Sequence, residues 1–166
     1  EQRPREAIFV IDNSGSMAGE SMRQAKAALL LGLTKLKPED KFNVIRFDDT
    51  FDVLFKSAVP ANEANLKVAT NFVSGLDANG GTEIYAALQA ALADLTPTDA
   101  SRLRQVIFLT DGAVGNEDEL FRLIRERLGD RRLFTVGIGS APTGHFMRKA
   151  AQFGRGLEER YPGRGL

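Results

Sequence analysis

Two kinds of apolar pattern run along this chain. Residues 7–11 (AIFVI), 105–110 (QVIFLT) and 133–138 (LFTVGI) are nearly unbroken apolar runs. Apolar character on successive residues means burial on both faces, so these runs predict central strands of a parallel sheet. Residues 42–47 (FNVIRF) alternate more and are placed nearer an edge. Asp48-Asp49-Thr50 then forms a tight turn into residues 51–55 (FDVLF), and so short a connection makes that pair antiparallel.

The second pattern has helical spacing. Residues 21–36 place Met22, Ala25, Leu29, Leu33 and Leu36 on one stripe, and Pro38 ends the helix. Residues 63–76 repeat the stripe with Leu66, Ala69, Phe72, Val73 and Leu76. Residues 83–95 are rich in Ala and Leu, with Pro97 beyond them. Asn116 with Glu119 resembles a capping box opening a helix over 117–128. Residues 144–153 form a weaker helical pattern closed by Gly154.

This alternation predicts an α/β fold: a doubly wound, mostly parallel, Rossmann-like sheet with one antiparallel edge strand and helices on both faces. One domain over residues 1–154 accounts for it. The tail, 155–166, is rich in Gly and Arg without periodicity and is expected to pack poorly.

Composition narrows the function. The 166 residues carry 22 Lys+Arg and 22 Asp+Glu. That balance gives no reason to expect a nucleic acid or an acidic membrane as partner. Short basic clusters such as Arg131-Arg132 read as solvated surface. Absence of cysteine excludes disulfide and thiolate chemistry. No apolar run approaches the ~20 residues of a membrane helix, so no direct membrane insertion is expected. The start, Glu-Gln-Arg-Pro-Arg-Glu, has no signal-peptide apolar region, and without an initiator Met the chain reads as a domain excised from something longer.

The candidate chemistry sits where strands end. Asp12-Asn13-Ser14-Gly15-Ser16 follows the first strand, Asp111 follows the strand over 105–110, and Gly80-Gly81-Thr82 opens the Ala-rich helix. In open α/β sheets, ligands bind outside the carboxyl ends of strands, where the strand order reverses. If the two Asp-bearing strands are neighbours there, Asp12 and Asp111 face one crevice, and two such carboxylates repel unless a proton or a cation intervenes. Asp12, Ser14, Ser16, Thr82 and Asp111 offer two carboxylates and three hydroxyls, a donor set for a hard cation. Mg²⁺ suits a compact site that keeps waters, with Mn²⁺ or Ca²⁺ as substitutes.

Each motif alone has a plainer explanation: Asp12, Ser14 and Ser16 as caps, Asp111-Gly112 as a turn, Gly80-Gly81-Thr82 as a turn and cap. Their joint placement on one edge of the sheet is what favours a site. A Mg²⁺-dependent phosphatase-type hydrolase with Asp12 as nucleophile is the alternative. It wants an acid two residues on, where Ser14 stands, and a Lys near the phosphate, which the three loops lack. A serine hydrolase is disfavoured because Asn13-Ser14-Gly15-Ser16 is not G-x-S-x-G and the single histidine, His145, lies in the weak helix. Asp48-Asp49 could hold a second ion, but a hairpin turn explains it more simply. Asn116 and residues 117–119 could shape the rim, with helix capping the simpler role.

At these residues the chain resembles the von Willebrand factor A family: Asp12-Asn13-Ser14-Gly15-Ser16 matches its D-x-S-x-S signature, followed by Thr82 after Gly80-Gly81 and by Thr110-Asp111-Gly112. The resemblance covers roughly residues 6–154. FVIDNSGSMAG, FNVIRFDDTF, NGGTEIYAAL, LTDGAVGNE and FTVGIGSAP look closest to the domain of inter-alpha-trypsin inhibitor heavy chains and bacterial sortase-target relatives. The family implies a metal-ion-dependent adhesion site (MIDAS) and no enzymatic activity. Ser14, Ser16 and Thr82 would be hydroxyl ligands, Asp12 and Asp111 would act directly or through water, and an acidic residue of a protein partner would complete coordination. It further implies a cell-surface or extracellular setting and a monomeric domain. Asn13 falls at the variable position and is expected to change little. Relatives continue past residue 154 toward a β-like segment, from which the charged, Gly-rich tail departs.

Overall fold

A computed structural model describes residues 3–93, 101–111, 117–138 and 158–160. Its frame is a seven-stranded sheet. In chain order, β1 is Arg5–Asp12, β2 Lys41–Phe47, β3 Phe51–Val53, β4 Val59–Pro60, β5 Leu103–Thr110, β6 Arg132–Gly137 and β7 Glu158–Arg160. The helices are α1 (Glu20–Thr34), α2 (Glu63–Ser74), α3 (Ile84–Ala91) and α4 (Glu117–Arg127), and a 3₁₀ turn, Gly15–Met17, precedes α1. The strand order is β3-β2-β1-β5-β6-β7, with β4 also pairing with β2.

Strand β1 lies between β2 and β5 and runs parallel to both. The chain leaves β1 through α1 to reach β2 on one side, and returns later as β5 on the other. The strand order therefore reverses at the β1–β5 pair, the placement that brings Asp12 and Asp111 to one edge.

The unbroken apolar runs are explained by two cores, one on each face of the sheet. Ala7, Phe9 and Ile11 of β1, with Leu109 of β5, pack with Ala25, Leu29 and Leu33 of α1 and Ala69 and Val73 of α2. Val10, with Val106 and Phe108 of β5, packs with Ile84 and Leu88 of α3 and Leu120 and Ile124 of α4. Alternate residues of one strand thus feed opposite cores, so neither parity can be polar.

In β2 the polar interruption has a structural purpose. Asn43 is buried. Its Nδ2 donates to the Phe55 carbonyl at 2.8 Å, and its Oδ1 accepts from the Phe55 and Val44 amides at 3.0 and 2.8 Å. The chain just beyond β3 is fastened to β2 in this way. β3 runs antiparallel to β2, as expected, and so does the two-residue β4, which no pattern announced. The Asp48-Asp49-Thr50 segment is the expected turn, with Asp48 N–H donating to the Thr50 carbonyl at 2.8 Å.

Within the tail, Glu158–Arg160 joins the sheet as β7, parallel to β6. Backbone pairing of three residues needs no apolar pattern. Arg131 is buried rather than solvated. Its guanidinium donates to the carbonyls of Arg127 (3.0 Å), Leu128 (3.3 Å) and Ala93 (3.2 Å), closing the end of α4 and the chain beyond α3. The weak helix over 144–153, with His145, and the cap at Asn116 lie outside the described residues. Among the described residues no helix is long and apolar enough to cross a membrane.

Asn43→Ala should destabilise the fold by about 2 kcal/mol, because it leaves the half-buried backbone groups of Phe55 and the buried Val44 amide without this partner. Urea unfolding would report this as a lower midpoint with an unchanged slope. An unaltered midpoint would show that the three bonds carry no net stability.

Candidate metal centre

Asp12 is the last residue of β1 and is fully buried. Its two carboxylate oxygens have separate partners. Oδ1 accepts the Ser14 backbone N–H at 2.8 Å, and Oδ2 accepts the Thr110 hydroxyl at 2.7 Å. Thr110 closes β5 on the neighbouring strand, and the half-buried Asp111 follows it.

Ser14 caps the 3₁₀ turn and Ser16 lies within it. The turn brings their hydroxyl oxygens to 3.2 Å of each other, Ser14 buried and Ser16 exposed. A second loop, leading into α3, is held against this one. Gly15 N–H donates to the Gly80 carbonyl at 2.9 Å, and Asn79 N–H to the Asn13 carbonyl at 2.9 Å. Glycine eases the first contact point and is favoured by the backbone at the second. A Cβ on Gly15 would stand 3.2 Å from the Gly80 oxygen. Gly80 has φ +77°, and a Cβ there would meet Asp49 Oδ1 at 2.8 Å. Thr82 sits two residues past Gly80, half-buried, and the next amide, Glu83 N–H, donates to the Asp48 carbonyl at 2.6 Å.

Of the five expected donors, Asp12, Ser14 and Ser16 share one short segment linked by direct hydrogen bonds. Asp111 lies close enough to raise the Asp12 pKa electrostatically. Thr82 arrives with its loop, and among the described residues no hydrogen bond joins it to the other four. Asp48 is engaged by its turn: it accepts the Thr50 N–H at 2.9 Å and pairs with Arg46 at 3.0 Å. Of the residues proposed for the rim, Glu119 is exposed, while Asn116 and the side chain of Glu117 lie outside the described set.

The surroundings of Asp12 disfavour its bare charge. Burial pushes the Asp12 carboxyl above its ordinary range; hydrogen bonds from Ser14 and Thr110 pull it back, and the charge of Asp111 adds to the rise. The donors are all oxygens, the one charged neighbour acting on Asp12 has the same sign, and the net shift is upward. A hard divalent ion fits such an arrangement. Among the described residues no group of three or more His, Cys, Asp or Glu side chains forms a metal cage. Two carboxylates and three hydroxyls would be a sparser, open site.

Two contributors were not among the five expected donors. Thr110 had a readable signal, a hydroxyl ending an apolar strand one residue before an Asp. Asn13 had none. It was expected to change little, but it is buried, and its Nδ2 donates to the Asp77 carbonyl at 3.1 Å and to Asp48 Oδ2 at 3.4 Å.

Comparison with known proteins places the chain in a family. A family profile described as "von Willebrand factor type A domain" matches residues 5–159. A von Willebrand factor A domain-containing protein of Dictyostelium discoideum is 37% identical over 136 residues, covering 81% of this chain and 14% of that protein. Human inter-alpha-trypsin inhibitor heavy chain H4 is 36% identical over 168 residues, 95% of this chain and 18% of that one. The chain thus spans less than a fifth of these relatives. Among solved structures, a von Willebrand factor type A protein from Catenulispora acidiphila superposes with TM-score 0.83 at 26% identity, covering 95% of this chain and 38% of that one. Two more distant structures share the fold. Proximal thread matrix protein 1 of the mussel byssus, with a zinc-occupied MIDAS motif, has TM-score 0.72 at 17% identity and covers 99% of this chain and 43% of that one. Manganese-loaded TRAP protein of Plasmodium vivax has TM-score 0.67 at 18% identity, with coverages of 90% and 63%.

The raised Asp12 pKa has a definite sign for the metal-free protein. The folded state holds that proton more tightly than the unfolded chain, so the contribution of Asp12 to stability is present below its unfolded pKa and is lost as pH rises through the raised folded value. At neutral pH the charge is a net cost. Metal-free Asp12→Asn should therefore melt above metal-free wild type at pH 7, and the gap should close in acid. A lower melting temperature at pH 7 would mean that the site tolerates the bare charge.

Proposed function

The chain belongs to the von Willebrand factor type A family, and from that premise we propose that it is a metal-dependent protein-binding module rather than an enzyme. Asp12, Ser14, Ser16, Thr82 and Asp111 hold one divalent cation, Mg²⁺ in preference to Mn²⁺ or Ca²⁺. An acidic side chain of a partner protein completes its coordination. The setting is the cell surface or the extracellular space, within a longer protein.

The observation that carries this reading is the buried Asp12 carboxylate, its charge raised in cost by burial and by Asp111. A cation between the two carboxylates removes that cost, and their charges roughly neutralise it while leaving it able to accept one more anionic oxygen. The related folds whose structures hold manganese or zinc support a divalent ion at this edge. Hydrolysis is the weaker reading. Two residues beyond Asp12, where a phosphatase needs an acid, Ser14 offers a hydroxyl at 3.2 Å from another hydroxyl.

Calorimetry and Mn²⁺ electron paramagnetic resonance should find one site in wild type. Asp12→Ala and Asp111→Ala should each weaken binding by at least about 100-fold, with the circular dichroism spectrum unchanged. Wild-type affinity in either variant would remove that residue from the ligand set. Mg²⁺-dependent turnover of phosphate esters, lost in Asp12→Ala, would establish the hydrolase instead.

Mg²⁺ should also stabilise the fold by mass action, by about 2.7 kcal/mol at 100 times its dissociation constant. A thermal melt insensitive to saturating Mg²⁺ and Mn²⁺ alike would argue that no ion binds the folded state.

A further inference from the structure

Asn13 occupies the interior position of the Asp12–Ser16 motif, between two expected donors, yet its own groups face away from them into two other loops. It is 5% exposed. Its backbone N–H donates to the Phe47 carbonyl at the end of β2 (2.8 Å), and its carbonyl accepts Asn79 N–H (2.9 Å). Its carboxamide nitrogen meets two acceptors, the Asp77 carbonyl at 3.1 Å and Asp48 Oδ2 at 3.4 Å. One residue of the first loop therefore touches the turn after β2 and the start of the loop that carries Thr82.

That second loop is then pinned along its length. Asn13 holds it at Asp77 and Asn79, Gly15 at Gly80, and the Asp48 carbonyl at Glu83. Thr82 lies between the last two points. We propose that Asn13 is a positioning residue: its carboxamide fixes the loop over 77–83 in advance, so that the Thr82 hydroxyl stands ready beside Ser14 and Ser16 before a cation arrives. The inference rests on the metal-centre reading for its consequence, but the strut itself exists without metal.

The chemistry requires an amide. Nδ2 brings two hydrogens to two oxygens, one of them charged. An isosteric carboxylate would present oxygen to both acceptors, with like charge opposite Asp48. Oδ1 of Asn13 is buried and makes no hydrogen bond, so the side chain's hold comes from the nitrogen alone, and a carboxylate gains nothing on its other side. Removal of the side chain only deletes the strut. Asn13→Asp should thus be worse than Asn13→Ala, although it preserves shape. A residue that merely filled space would give the opposite order.

The test uses two readouts. In metal-free protein, hydrogen exchange at the amides of Asn79–Thr82 should be about 10-fold faster in Asn13→Ala and faster still in Asn13→Asp, with β1 and β5 unchanged. Mn²⁺ affinity should fall in the same order, by about 10-fold and up to 100-fold, the range seen when groups behind metal ligands are lost. Unchanged loop exchange in both variants overturns the proposal. So does faster exchange with wild-type Mn²⁺ affinity, and so does wild-type affinity in Asn13→Asp. If Asn13→Asp does not fold, Asn13→Ala alone decides by the same two measurements. Wild-type protein that binds no Mn²⁺ would defeat the metal reading, while the exchange experiment would still decide whether Asn13 holds the loop.

Discussion

The parallel pairing of β1 with β5 is the constraint on which the carboxyl edge depends. Val10 opposite Phe108 and Ile11 opposite Leu109 fix the register of the two strands, and both residues of each pair are buried. A slip of one residue would send each side chain into the opposite core, whose neighbours are shaped for a different one. With register set by the cores, Asp12 and Thr110 have no freedom in where they emerge. The 2.7 Å bond between them follows from packing several residues back along the strands. The cores thus stabilise the fold and, through the register, place a carboxylate where its charge is least well solvated.

Burial of that carboxylate is unfavourable for the isolated fold, and the surroundings only partly offset it. One oxygen takes a backbone N–H and the other a hydroxyl. Asp111 opposes ionisation further. Local rules for a stable chain are broken here, and such violations concentrate where a protein binds something. Both loops around Asp12 meet through glycines that allow backbone contact, at Gly15 and Gly80. Neither feature improves folding by itself, and both make sense if an ion is to be received in a preformed cradle.

Legibility in the sequence followed the kind of interaction. Strands β1, β5 and β6 could be read because burial on both faces leaves an unbroken apolar run. The three loops that carry the candidate donors could be read because strand ends and helix starts are marked by Gly and by the strand pattern itself. Asn13 could not be read. Its partners, Asp77 and Asp48, are 64 and 35 positions away, and one of them is a backbone oxygen that any residue would supply. Arg131 was misread for the same reason, since the acceptors it reaches at Arg127, Leu128 and Ala93 are carbonyls. β7 escaped because a parallel edge pairing needs only backbone. Contacts between side chains of distinctive type leave a trace in sequence, whereas contacts to backbone do not.

That distinction bears on how the module would meet a partner. If a cation occupies the site, its first neighbours come from three separate chain segments, and only the loop over 77–83 lacks a strand immediately before it. β1 and β5 anchor Asp12 and Asp111 rigidly, while Thr82 depends on hydrogen bonds made by neighbouring loops. A partner carboxylate drawing the ion outward would therefore load the Thr82 side first, and resistance there would come from the Gly80, Glu83 and Asn13 contacts. Both the strand register and the loop struts would therefore bear on affinity for the ion, and only the struts can be loosened without disturbing either core.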